Sequence, residues 1–210
     1  MSFTDKIMWQ NILVTGGSGR LGIELKKHLK ANYPTSKQFN ITKINRLIPC
    51  DLILHMAAYT NVDKAEIEKN LCFDINVFGT YQILKHYPKT PIVFISTEHV
   101  DAAGVYFQSK LLGELLLKNL SKNYLIIRTL FKPNPWPFEY AFIDQMTQGD
   151  YIDVIAPLIA KAITNWKGES KTIYVGTERK SMFELAKKTK PDVKPNSVDN
   201  LPLKRPKDYL

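Results

Sequence analysis

A doubly wound parallel sheet with helices on both faces is the fold class these 210 residues predict, and three observations carry that reading. Short apolar, β-branched runs alternate with helix-like segments, as strands covered on both faces do. The first run ends in a glycine cluster that opens a helix. A parallel neighbour also needs a crossover, and the intervening segments are long enough to supply one.

Ile12-Leu13-Val14 is the first strand, and Leu21, Ile23, Leu25 and Leu29 give the following segment helical spacing through Lys30. Leu52-Ile53-Leu54, Ile92-Val93-Phe94-Ile95 and Tyr124–Ile127 read as further strands, with helices predicted over Ala65–Lys85 and Phe107–Leu120. After Arg128 the pattern weakens. Lys132–Pro137 is a proline-rich connection, Ile152–Trp166 reads as a helix and Thr172–Val175 as a strand. Ser181 and Glu184 have capping-box spacing for a last short helix, and the tail from Lys190, with four prolines, reads as extended.

The length predicts one compact domain over 1–210. A 44% hydrophobic and 23% charged composition is that of a soluble globular protein. The opening Met1–Lys6 is too polar for a signal peptide and no apolar stretch reaches a membrane span, so the cytoplasm is the default expectation. Cys50 and Cys72 have no partner at metal-ligand spacing and read as buried thiols in a reducing compartment, with no metal site expected. The net charge of +9 suits an anionic partner, and the glycine loop favours a phosphorylated small molecule over nucleic acid.

That loop, Gly16-Gly-Ser-Gly19-Arg20-Leu21-Gly22, lies where glycines let backbone approach a pyrophosphate and a helix N-terminus meets its charge. Only twenty residues, Ala31 to Cys50, remain for the second strand that normally meets the adenosine ribose. None of the twenty is acidic, and Arg20 with Lys37 could meet a 2′-phosphate, so NADPH is favoured with NADH as the alternative.

Tyr106 and Lys110 are one helical turn apart and follow the strand ending in Ser96-Thr97. Tyr33/Lys37 and Tyr81/Lys85 share the spacing but lack that context. A phenol titrates near 10, and lowering it by about two units takes about 2.7 kcal/mol, which the Lys110 ammonium is expected to supply. Thr97 would hold a carbonyl oxygen while Tyr106 protonates it, so Thr97, Tyr106 and Lys110 are the candidate catalytic residues. His28, His55, His86 and His99 form no ligand spacing.

With the glycine loop, Asp51-Leu-Ile-Leu-His-Met-Ala-Ala-Tyr-Thr-Asn-Val-Asp-Lys-Ala-Glu66, Asn76-Val-Phe-Gly-Thr80 and Ser96–Glu114 in order, the chain resembles the dTDP-4-dehydrorhamnose reductase family of extended short-chain dehydrogenase/reductases. The likeness is good over 11–131 and fainter beyond. It implies a reductase of the 4-keto group of a nucleotide-linked 6-deoxy sugar, in deoxysugar synthesis. It also implies cofactor contacts from Gly16, Gly19, Arg20, Leu21 and Gly22, from Asn40 and Ile41 near adenine, from Ala58, Tyr59 and Thr60 near the nicotinamide, and from Tyr106 and Lys110. Thr97, Glu98 and Phe131 would face the sugar nucleotide, and 132–210 would be a reduced substrate-binding portion. A homodimer is compatible with this reading.

The chain departs from the family where Ser-Thr-Asp-Tyr-Val-Phe becomes Ser-Thr-Glu-His-Val-Asp, and where the loop before Tyr106 is cut to eight residues. Two rival readings therefore stand beside the reductase. One is a catalytically silent nucleotide-binding regulator, as a relative of this family is for methionine adenosyltransferase. The other is a nucleotide-sugar epimerase or dehydratase on the same fold.

Overall fold

Five parallel strands form the central sheet of the computed structural model, which describes residues 9–201 and Lys207. Met1–Lys6 and two of the tail prolines, Pro202 and Pro206, lie outside the described residues. In chain order the elements up to the fourth strand are β1 (Ile12–Thr15), α1 (Arg20–Leu25), β2 (Leu52–His55), α2 (Val62–Ala65), α3 (Lys69–Phe73), a π-helical stretch Asp74–Phe78, α4 (Gly79–His86), β3 (Ile92–Thr97), α5 (Val105–Leu120) and β4 (Tyr124–Thr129). There follow β5 (Phe131–Lys132), β6 (Tyr140–Phe142), β7 (Met146–Thr147), β8 (Asp150–Tyr151), α6 (Ile152–Asn165), β9 (Lys171–Tyr174), β10 (Lys180–Ser181), α7 (Met182–Lys187) and β11 (Lys194–Asn196).

The sheet runs β1-β2-β3-β4-β9, and side chains along each strand alternate between its two faces. Val14, Leu54, Val93 and Ile127 pack with Leu25 of α1 and with Ile155, Ile159 and Ile163 of α6. Leu13, Ile53, Phe94 and Ile126 pack on the opposite face with Ile83 and Leu84 of α4 and Leu117 of α5. Burial on both sides is why these strands read as unbroken apolar runs. A smaller cluster of Trp136, Ala141, Tyr151, Met182, Leu185 and Val193 holds the region after β4 together.

Several boundaries differ from the sequence reading. The first helix ends at Leu25 instead of Lys30. The helix predicted over 65–85 is four pieces: α2, α3, the π-helical stretch and α4. Asp74–Phe78 is a widened turn that keeps the chain helical from α3 into α4, whereas residues 66–68 form a turn between α2 and α3. Cys50 is half-buried and Cys72 buried, both as free thiols. The tail is extended only in part: β11 pairs parallel to β6, but Pro191–Asp192 form a turn and Val198–Asn200 a 3-10 helix. The capping box forms as spaced: Ser181 Oγ accepts from Glu184 N at 3.1 Å and the Glu184 carboxylate from Ser181 N at 2.6 Å.

The trimmed second strand is reduced to a single bridge, Asn32 against Leu13, with Val14 N donating to Asn32 O and Asn32 N to Ile12 O, each at 2.8 Å. Among the described residues, none from 34 to 50 joins a sheet. Phe39 and Ile41 fix that segment by packing into the core instead.

Candidate active site

At the carboxyl end of the sheet a cleft of about 1790 Å³ opens, where ligands of doubly wound folds bind. Its wall on the β1 side is the glycine turn. Gly16 has φ +75°, and a Cβ there would lie 2.6 Å from Ala57 N, so only glycine lets this turn close against the exit of β2. Gly19 N donates to Gly16 O at 3.0 Å, and α1 begins immediately after with its N-terminus toward the cleft. Backbone this close and free of side chains fits a pyrophosphate.

Thr15 braces the turn from behind. Its hydroxyl oxygen accepts from Met56 N and Ala57 N, both at 3.2 Å, and lies 2.7 Å from His55 Nδ1. Thr80 Oγ1 donates to Asn76 O at 2.6 Å, so it accepts from His55 Nε2, 3.0 Å away. Both neighbours thus demand a neutral ring protonated on Nε2. Burial, assisted by the charge of Lys110, holds the imidazole down at about 3. His55 is a structural residue of the turn and takes no proton from the cleft.

Thr97, Tyr106 and Lys110 all line this one cleft, together with Gly16, Gly19, Arg20, Leu21, Gly22, Asn40, Ile41, Ala58, Thr60 and Phe131. Tyr33 and Tyr81, the other tyrosines at matching spacing, do not line it. Tyr33 turns away, its hydroxyl donating to Leu29 O at 2.8 Å.

Two expected contacts are absent from the wall. Tyr59 presents its backbone to Asn76, which accepts from Tyr59 N at 2.7 Å and donates to Tyr59 O at 3.1 Å, while its hydroxyl donates to Glu68 at 2.6 Å. Glu98 is buried away from the cleft and accepts from Thr147 Oγ1, an atom the sequence offered no way to place there. Burial pushes the Glu98 carboxyl up, against the opposing pull of the Thr147 hydrogen bond.

The electrostatics correct one expectation. Burial pushes the Tyr106 phenol up instead of Lys110 drawing it down. Lys110 is nearly inaccessible, donates to Ile95 O at 2.7 Å and lies 3.9 Å from the centroid of the Phe94 ring. Burial lowers its ammonium to about 7, although the charges of Glu114 and Cys72 oppose that. A phenol so placed stays protonated at neutral pH, the form an acid needs.

Between about pH 7 and its ordinary 10.5, the folded chain therefore binds fewer protons at Lys110 than the unfolded chain, and stability contributed by this site rises with pH across that window. Lys110→Met should accordingly raise the thermal midpoint at pH 6, with a gain that shrinks by pH 9. Unfolding curves at the two pH values check this; an equal effect at both would mean that the ammonium is not desolvated.

Sequence reasoning missed Ser36, Thr42, Trp136 and Phe138, which also line the cleft. The signal for the last two was present in Pro133-Asn-Pro-Trp-Pro-Phe138, aromatic residues interleaved with prolines in what read as a linker.

Residues 10–103 match the family described as the RmlD substrate binding domain. Spore coat polysaccharide biosynthesis protein SpsK of Bacillus subtilis is 32% identical over 146 residues, covering 56% of this chain and 52% of that protein. A dTDP-4-dehydrorhamnose reductase of Aggregatibacter actinomycetemcomitans is 31% identical over 150 residues, covering 56% of this chain and 50% of its own length. The chain spans about half the length of these curated relatives. Among solved structures, dTDP-4-dehydrorhamnose reductase from Bacillus anthracis in complex with NADP superposes with a TM-score of 0.79 at 25% identity, over 98% of this chain and 90% of that one. Fold, motif order and these likenesses agree: the chain is similar to the dTDP-4-dehydrorhamnose reductases and shares their fold.

Proposed function

We propose that this chain reduces the 4-keto group of a nucleotide-linked 6-deoxy sugar, with NADPH as the hydride source. One observation carries the reading: the glycine turn and the group Thr97, Tyr106 and Lys110 open onto the same cleft. When bound, the nicotinamide supplies the hydride. Gly16, Gly19 and the start of α1 hold the pyrophosphate, with Arg20, Ser36 and Thr42 at the adenosine end for a 2′-phosphate.

Thr97 Oγ1 already accepts from His99 N at 3.2 Å, which leaves its own proton to donate to a substrate oxygen. Tyr106 gives its phenolic proton to that same oxygen as negative charge builds there. Lys110, one turn further along α5, is fixed beside the reacting groups by donating to Ile95 O at 2.7 Å. Phe131 and Trp136 offer aromatic surface for the sugar nucleotide. A single-domain arrangement over 1–210, with 132–210 forming the substrate wall, accords with the third core cluster lying wholly in that segment apart from Leu130.

The test is to mix the purified chain with NADPH and a dTDP-4-keto-6-deoxy sugar and follow absorbance of the reduced cofactor. Consumption with formation of the 4-hydroxy product supports the proposal. Binding of NADPH with no turnover on either dTDP- or UDP-linked substrates would instead mark a nucleotide-binding regulator. A product altered elsewhere on the sugar, without net cofactor use, would mark an epimerase or dehydratase.

A further inference from the structure

The end of β3 accounts for its polar groups one by one, with one exception. Ile95 O accepts from Lys110 Nζ at 2.7 Å, Thr97 Oγ1 accepts from His99 N at 3.2 Å, and Glu98 N donates to Thr129 O at 3.2 Å. Between them, Ser96 is only 4% exposed, and its hydroxyl oxygen is buried with no hydrogen-bond partner. A hydroxyl offers one donor and two acceptor sites, and burying it unpaired is unfavourable compared with an apolar side chain of similar size. Alanine would fill the same space on this strand without that penalty.

Ser96 also lines the cleft. It stands at the carboxyl end of a parallel strand, the side from which doubly wound sheets meet their ligands. Its chain neighbours are Thr97 and the residue whose carbonyl holds Lys110, so the ligand segment that reacts there lies against Ser96. The pyrophosphate turn belongs to a different strand, β1.

We infer that Ser96 is a binding residue for the nicotinamide end of the cofactor, its hydroxyl completing its hydrogen bonds on the carboxamide or the adjoining ribose. This rests on the reductase reading, since it takes the cleft to hold a pyridine dinucleotide. The carboxamide carries both a donor and an acceptor, which a serine hydroxyl can meet in either sense. Ser96 thus separates the two halves of the cofactor: it contributes at the nicotinamide and nothing at the adenosine.

The experiment compares the full chain and Ser96→Ala in two measurements. The first is thermal unfolding without ligand; the second is titration with NADPH and, separately, with adenosine 2′,5′-bisphosphate, which lacks the nicotinamide. The expected result is an unfolding midpoint no lower than that of the unaltered chain, a dissociation constant for NADPH raised about 3- to 10-fold, and unchanged affinity for the bisphosphate. That magnitude corresponds to one neutral hydrogen bond.

A lower midpoint with unchanged NADPH affinity would overturn the inference and make the hydroxyl part of the fold. Equal weakening of both ligands would overturn it too, by showing a general distortion of the cleft. If the unaltered chain bound neither ligand, the reductase reading itself would fall, an outcome recognisable before the variant is made.

Discussion

Tyr106→Phe should lower turnover by about 10²- to 10⁴-fold while leaving the NADPH dissociation constant within a small factor of the unaltered chain. The substitution removes one oxygen and keeps the ring. That ring packs edge-on against Phe107 at 5.4 Å between centroids and borders the small cluster of Ala65, Cys72 and Val105, so the start of α5 keeps its support. Since burial pushes the phenol up, the lost group is protonated throughout the neutral range, and its removal takes away a proton donor and not a charge. Stopped assays with product analysis, paired with a fluorescence titration of the cofactor, check both halves. A variant that still turns over would place the acid elsewhere.

Glu114→Ala should destabilise the fold by about 3–5 kcal/mol without touching any atom of the cleft. Glu114 is fully buried on α5, and Arg128 of β4 grips it in a fork: Nε to Oε1 at 3.0 Å and Nη2 to Oε2 at 2.8 Å. Arg128 Nη1 also donates to Tyr174 Oη at 3.0 Å, which ties α5, β4 and β9 together. Hydrogen bonding to Glu114 holds the guanidinium even more firmly charged than usual, so deleting the carboxylate strands a cation among buried groups. At about 2–4 °C per kcal/mol for a chain this long, the melting point should fall by about 6–20 °C. The paired change Glu114→Leu with Arg128→Met should recover most of the loss, because neither charge is then left alone. Melting curves of the two variants and the unaltered chain decide it, and a double variant as unstable as Glu114→Ala would show that the pair contributes more than mutual neutralisation.

The sheet was legible because its inner strands are buried on both faces, which leaves a run such as Ile92–Ile95 no polar position to blur the pattern, while the edge strand β9 is largely exposed. The glycine turn and the pair on α5 were legible for a different reason, since both depend on backbone spacing along a single element. Glu98 and Tyr59 were not, because their orientation is decided by partners far along the chain: Thr147 lies 49 residues from Glu98, and Asn76 turns the Tyr59 backbone from a π-helical stretch that periodicity cannot distinguish from an ordinary helix. The direction of the Tyr106 shift was missed for a related reason. Sequence gives the spacing of Lys110 but not that its ammonium is itself buried against Ile95 O and the Phe94 ring.

The single bridge at Asn32 decides what kind of contact holds one wall of the cleft in place. With two main-chain hydrogen bonds standing in for a whole strand, the span from Pro34 to Cys50 is held by Phe39 and Ile41 in the core, by Ile44, Ile48 and Cys50 packed against it, and by the Tyr87 hydroxyl, which accepts from Ile48 N at 2.8 Å. Asn40, Ile41 and Thr42 belong to that span and to the cleft wall alike. This part of the wall therefore takes its position from side chains packed on the core and not from a strand ladder.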